Sequence, residues 1–148
     1  MKVLLTGATG MVGEGVLLAC LANPAVTEVS MLNRKPSGAR HAKLRELIVP
    51  DFNDMARHSD ALHPFDACFY CAGVSSVGMD EVRYTAITHD TTLIVAKTLR
   101  ALNPQMVFTY VSGKSTDSSE HGKLMWARVK GKTENDLIKL GFKGAYNF

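Results

Sequence analysis

Short apolar runs alternate along this chain with longer stretches in which apolar residues recur at helical spacing. Lys2–Thr6 reads as a first strand. About Met11 to Ala22 reads as a helix, stopped before Pro24 because the proline ring disfavours helix at the preceding residue. Glu28–Leu32 predicts a second strand, Glu46–Val49 a short third one, and Asn53–Ala61 a weak helix. Ala67–Cys71 predicts a fourth strand and about Asp80 to Leu102 a long helix. Met106–Val111 gives a fifth strand, about Gly122 to Leu140 a further helix closed by Gly141, and Gly144–Phe148 the start of a sixth strand. Nearly continuous apolar strands, each followed by a helical stretch, predict an α/β fold. Its form is a doubly wound parallel sheet with helices on both faces, a three-layer sandwich. No linker, internal repeat or low-complexity segment divides the chain, so one domain over residues 1–148 is expected.

Composition narrows the class. With 148 residues, 46% hydrophobic and 21% charged, the chain has the profile of one globular domain large enough to bury a core. A net charge of +3 without a basic stripe gives no reason to expect nucleic acid as a partner. No apolar run reaches the length of a membrane span, so no membrane partner is expected either. The apolar start Met1–Leu5 ends at Thr6-Gly7, too soon for a signal peptide, and a cytoplasmic location is the expectation.

The three cysteines, Cys20, Cys68 and Cys71, leave one thiol over in any pairing. Cys68 and Cys71 form a C-x-x-C pattern, but inside an apolar strand residues i and i+3 point to opposite faces, so their sulfurs diverge. His41, His58, His63, His89 and His121 have no ligand spacing, and no metal is expected. Asp80-Glu81 reads as a helix start rather than an acid/base pair.

The most informative segment is Thr6-Gly7-Ala8-Thr9-Gly10-Met11-Val12-Gly13, between the first strand and the first helix. In that context Gly7 permits the tight turn, Gly10 lets backbone approach a pyrophosphate, and Gly13 lets helix pack closely on strand. The helix N-terminus then offers unpaired N–H groups and a positive dipole end to the phosphates. A dinucleotide is therefore expected here, held by Gly7, Thr9, Gly10, Met11, Val12 and Gly13. Twenty residues past Gly13, where a carboxylate would grip the ribose of NAD, stands Asn33, followed by Arg34 and Lys35. Asn33 does not repel a 2′-phosphate and Arg34 can bind one through its planar fork, so NADP is favoured over NAD.

The spacing G-x-x-G-x-x-G resembles that of the extended and atypical branches of the short-chain dehydrogenase/reductase superfamily, among its epimerase/dehydratase-like members. The resemblance runs over essentially the whole chain and implies a Rossmann-like fold. It implies that Asp51-Phe52 contacts adenine and that Cys71-Ala72-Gly73 is the turn beside the cofactor after the fourth strand. It also implies a carbonyl-orienting hydroxyl at Ser112, in Tyr110-Val111-Ser112-Gly113, and a lysine at Lys130 that holds the nicotinamide ribose. The tyrosine of the family's Tyr-x-x-x-Lys pattern is replaced by Trp126. An indole N–H donates a hydrogen bond but does not titrate. Tyr84 and Tyr110 read as packing residues. The expected function is oxidation, reduction or epimerisation of a small carbonyl or sugar-like substrate, the alternative being a weakly active or inactive NADP-binding regulator. Ala127 and Gly131 form a small-residue helix face, and the resemblance implies a homodimer through it. Family members continue past Phe148, so the substrate-binding part is expected to be largely absent.

Overall fold

The computed structural model describes residues 1–62 and 65–148; His63 lies outside the described residues. Six strands, β1 (Lys2–Thr6), β2 (Glu28–Asn33), β3 (Leu44–Ile48), β4 (Ala67–Tyr70), β5 (Val107–Tyr110) and β6 (Gly144–Asn147), form one sheet in the order β3-β2-β1-β4-β5-β6. All neighbours pair in parallel. The order reverses between β1 and β4, and a parallel sheet binds ligands in the crevice beyond its strand ends at such a switch point.

Alternation along the strands sorts the core into two layers. Leu4, Leu32, Cys68, Tyr70, Phe108 and Tyr110 face the layer that holds Val95 and Leu99 of α3 (Thr91–Leu102). Val3, Leu5, Val29 and Met31 face Leu17 and Cys20 of α1 (Met11–Ala22). Cys68 thus belongs to one face of the sheet and Cys71 packs against the other, the divergence expected of positions i and i+3 in a strand. All three cysteines are free, and burial pushes the Cys71 thiol up to about 11.

Three helical stretches differ from expectation, each for a local reason. The weak helix after β3 is a 3₁₀ segment, Phe52–Leu62. Its short polar side chains favour local backbone bonds over an α ladder, as where Ser59 Oγ donates to the Ala56 carbonyl. The long helix is broken into α2 (Glu81–Thr85), a π turn (Ala86–Asp90) and α3. Asp80 caps α2, accepting the Arg83 N–H at 2.8 Å, which agrees with its reading as a helix start. At the π turn the Thr91 hydroxyl donates to the Ala86 carbonyl at 3.0 Å. The last helix, α4 (Met125–Lys139), begins later than Gly122. Asp117 holds Gly122 in a turn by accepting its N–H, while Arg128 donates to the Gly122 carbonyl at 2.7 Å.

Candidate functional site: the strand ends around the first glycine-rich turn

Glycine is required at two points of the β1–α1 turn. Gly7 has φ +68°, and a Cβ there would lie 2.6 Å from the Ala72 nitrogen and from the Cys71 carbonyl. A Cβ on Gly13 would lie 2.0 Å from the Gly7 oxygen, so α1 packs on the turn with no room for a methyl. Gly10 differs from both. A Cβ there would meet only the Gly7 oxygen, at 3.4 Å. Gly10 caps α1 without a side-chain hydrogen bond, so the first-turn N–H groups of Met11, Val12 and Gly13 have no capping side chain. Thr9, Gly10, Met11 and Val12 are exposed around them.

A residue that motif reasoning passed over ties this turn to β4. The fully buried Thr6 hydroxyl accepts the N–H groups of Cys71 and Ala72, both at 3.1 Å. It fixes Cys71-Ala72-Gly73 against the glycine turn, with Gly73 open on its Cβ side. Removing the hydroxyl leaves two enclosed donors unpaired. Thr6→Val is therefore expected to cost about 2–3 kcal/mol, read as a lower urea midpoint at unchanged slope. A wild-type midpoint would show that the two N–H groups find other partners.

At the end of β2 Asn33 is buried, whereas Arg34 and Lys35 are exposed. Burial pushes the Tyr70 hydroxyl up to about 12, a rise that a hydrogen bond with Thr92 and the Arg34 charge oppose in part. Asp51 Oδ1 accepts the Asn53 N–H at 2.9 Å and opens the 3₁₀ segment. The Phe52 side chain is buried in the core.

The residues after β5 meet those of α4. Ser112 Oγ donates to Glu134 Oε1. Lys130 Nζ donates to the Val111 and Ser112 carbonyls at 3.3 and 3.2 Å and lies 5.4 Å from the centroid of the Tyr110 ring. Burial lowers the Lys130 pKa, and the Glu134 charge partly restores it. Trp126 completes the group: a Cβ on Gly113 would lie 3.6 Å from its ring and 3.9 Å from Lys130 Cδ. Trp126, Lys130 and Glu134 are spaced four apart and share one face of α4. Glu134 was legible by carrying that spacing one turn further. Tyr84 and Tyr110 are buried, as packing residues are, and burial raises the Tyr110 pKa.

Ala127 and Gly131, expected to offer a small-residue face to a second copy, are covered from within the chain. The Asp117 N–H donates to the Ala127 carbonyl at 3.0 Å, and a Cβ on Gly131 would lie 2.0 Å from the Asp117 oxygen. Among the described residues no cluster of three or more His, Cys, Asp or Glu is arranged to hold a metal, and no helix is long and apolar enough to cross a membrane.

A parallel sheet with its switch point at an uncapped helix N-terminus, two glycines packed shut and one left open, defines a Rossmann-type dinucleotide-binding domain. The model of the NAD dependent epimerase/dehydratase family matches residues 3–125, and the chain belongs to that family. A nicotinamide dinucleotide is the cofactor class that goes with the family, and the open Gly10 beside the uncapped helix fits it.

The chain is 32% identical to "Protein fmp52, mitochondrial" of Emericella nidulans over 96% of its own length and 62% of that relative's. Among solved structures, Pen from Bacillus thuringiensis superposes with a TM-score of 0.78 at 17% identity, over 99% of this chain and 50% of that one. The Bordetella bronchiseptica enzyme WbmF in complex with NAD+ gives 0.77 at 16%, over 99% and 48%. The cytoplasmic expectation is corrected here, because the fmp52 relatives carry a mitochondrial location in their names. Met1–Leu5, from which it was read, runs into the central strand β1.

Proposed function

We propose that this chain forms the nucleotide-binding part of an NADP-preferring oxidoreductase or epimerase/dehydratase acting on a small carbonyl or sugar-like substrate. The observation that carries the reading is the open, uncapped start of α1 at Gly10, on the same strand-end edge as Ser112 and Lys130. A bound nicotinamide supplies hydride chemistry there. Ser112 orients the substrate oxygen, and its own hydroxyl proton already has an acceptor in Glu134. Lys130 holds a positive charge near the reacting end. The NADP preference is supported by exposed Arg34 and Lys35 beside an uncharged Asn33. The reading calls for a small molecule, and for neither nucleic acid nor membrane.

A second reading, a cofactor-binding regulator with little turnover, is favoured by one observation: an indole stands beside Lys130 where the resemblance calls for a titrating phenol.

Trp126 is the chain's only tryptophan and serves as the reporter. Titration with NADPH or NADH is expected to quench its emission with energy transfer to the reduced nicotinamide. Arg34→Ala is expected to weaken NADPH about tenfold, a loss of about 1.4 kcal/mol, with little change for NADH. Absence of binding to either nucleotide, checked by calorimetry, would overturn both readings.

A further inference from the structure

A single carboxylate organises the turn between β2 and β3. Glu46 Oε1 accepts the Asn33 side-chain amide at 2.7 Å and the Ser37 N–H at 2.8 Å. The Asn33 bond, with help from Ser37, holds the Glu46 carboxyl below the usual carboxylate range despite its exposure, so it is ionised at neutral pH. A carboxylate accepts and does not donate, which fixes the asparagine: its NH2 is spent on Glu46, and Oδ1 is the atom it has left for a ligand. No hydrogen bond reaches Asn33 Oδ1 from the described residues, and it is not a buried orphan, since Thr88 Oγ1 is the buried side-chain atom without a partner among them.

Asn33 stands where the ribose carrying adenine is read, twenty residues past the third glycine. An acceptor atom with a negative charge one hydrogen bond behind it suits a ribose 2′-hydroxyl, which can donate. It opposes a 2′-phosphate, which brings acceptor oxygens and negative charge. Arg34 and Lys35 act in the other direction from the adjoining turn. The sequence pattern of an uncharged residue 33 therefore hides an acidic group, delivered from β3 by the register that sets Met31 beside Glu46.

We propose that Glu46, acting through Asn33, is a specificity-determining residue of the nucleotide site. It restrains the affinity for a 2′-phosphate that Arg34 and Lys35 would otherwise confer. The assignment rests on the nucleotide-binding reading above. It goes beyond that reading by naming a positioning residue on a strand other than the one that ends at the ribose.

The test compares dissociation constants for NADPH and NADH by isothermal calorimetry in the wild type, Glu46→Gln and Glu46→Lys. Glu46→Gln keeps the size of the side chain and an oxygen that can accept from Asn33 and Ser37, and removes its charge. It is expected to tighten NADPH about tenfold while NADH stays within about twofold. Glu46→Lys, a charge reversal at an exposed position, is expected to move the NADPH:NADH ratio further the same way. Equal weakening of both nucleotides would mean that Glu46 only anchors the turn, and an unchanged ratio would mean that its charge is not felt at the 2′ position. Either result overturns the proposal while leaving the nucleotide site standing. A wild type that binds neither nucleotide overturns the nucleotide-binding reading itself, and this proposal with it.

Discussion

Trp126→Tyr is expected to raise nicotinamide-dependent turnover of small aldehydes, ketones or keto sugars by about 10²-fold or more. The indole can donate a hydrogen bond through its ring N–H but has no proton to exchange at accessible pH. A phenol has an ordinary pKa of about 10, which a neighbouring ammonium lowers. Lys130 is one helical turn away on the same face, held by the Val111 and Ser112 carbonyls with its charge kept close to the strand end. The substitution would put a titrating group next to Gly113 and Lys130 with the rest of the group unchanged. Trp126→Phe is the control, since it removes the indole and opens similar space without adding a proton donor. Turnover in the tyrosine variant no greater than in the phenylalanine variant would sink the idea that a missing proton donor limits the site. A gain confined to tyrosine would mean that the family's proton-transfer geometry survives here with its donor exchanged.

How much of this was legible beforehand depended on whether a feature is local in sequence. The sheet was readable because each strand is a short apolar run bounded by turn residues, and β1, β4 and β5 match their expected positions closely. The glycine turn was readable because its three positions have separate steric reasons, and the structure keeps Gly7 and Gly13 tight and Gly10 open. Side chains whose roles depend on register between distant strands were not readable. Thr6 reaches across to β4, and Glu46 arrives beside Asn33 only because β3 pairs with β2 in one register. The burial of the Phe52 side chain was not read either, although an aromatic directly after a strand end has a core within reach. The loop over Ala127 and Gly131 was not readable for a related reason. Small residues on a helix announce a close approach without saying from where, and here the loop around Asp117 makes it.

Gly13→Ala is expected to lower the thermal midpoint by about 10 °C or to prevent folding, whereas Gly10→Ala leaves the fold standing and weakens nucleotide binding about tenfold or more. The two glycines are three residues apart in one motif, and their surroundings decide the difference. At position 13 a methyl would sit 2.0 Å from the Gly7 oxygen and 2.6 Å from its carbonyl carbon, both backbone atoms. Gly7 cannot retreat, because it is already pressed against Cys71 and Ala72 and tied to them through the Thr6 hydroxyl. The strain must be met by lifting α1 from the sheet. Overpacking of a tight site costs about 1–3 kcal/mol or more, and each kcal/mol moves the midpoint of a domain this size by about 2–4 °C. At position 10 the backbone, with φ −92° and ψ 160°, is one that alanine adopts without strain, and the new methyl meets one atom at 3.4 Å. The stability cost there is that of a poorer helix cap, under about 1 kcal/mol. The methyl would instead occupy the space in which a pyrophosphate approaches the uncapped N–H groups of α1. Calorimetric melting paired with NADPH and NADH titration separates the two effects. A Gly10→Ala protein that binds both nucleotides as the wild type does would place the phosphates elsewhere. A Gly13→Ala protein that melts with the wild type would mean that the helix can shift off the turn at little cost.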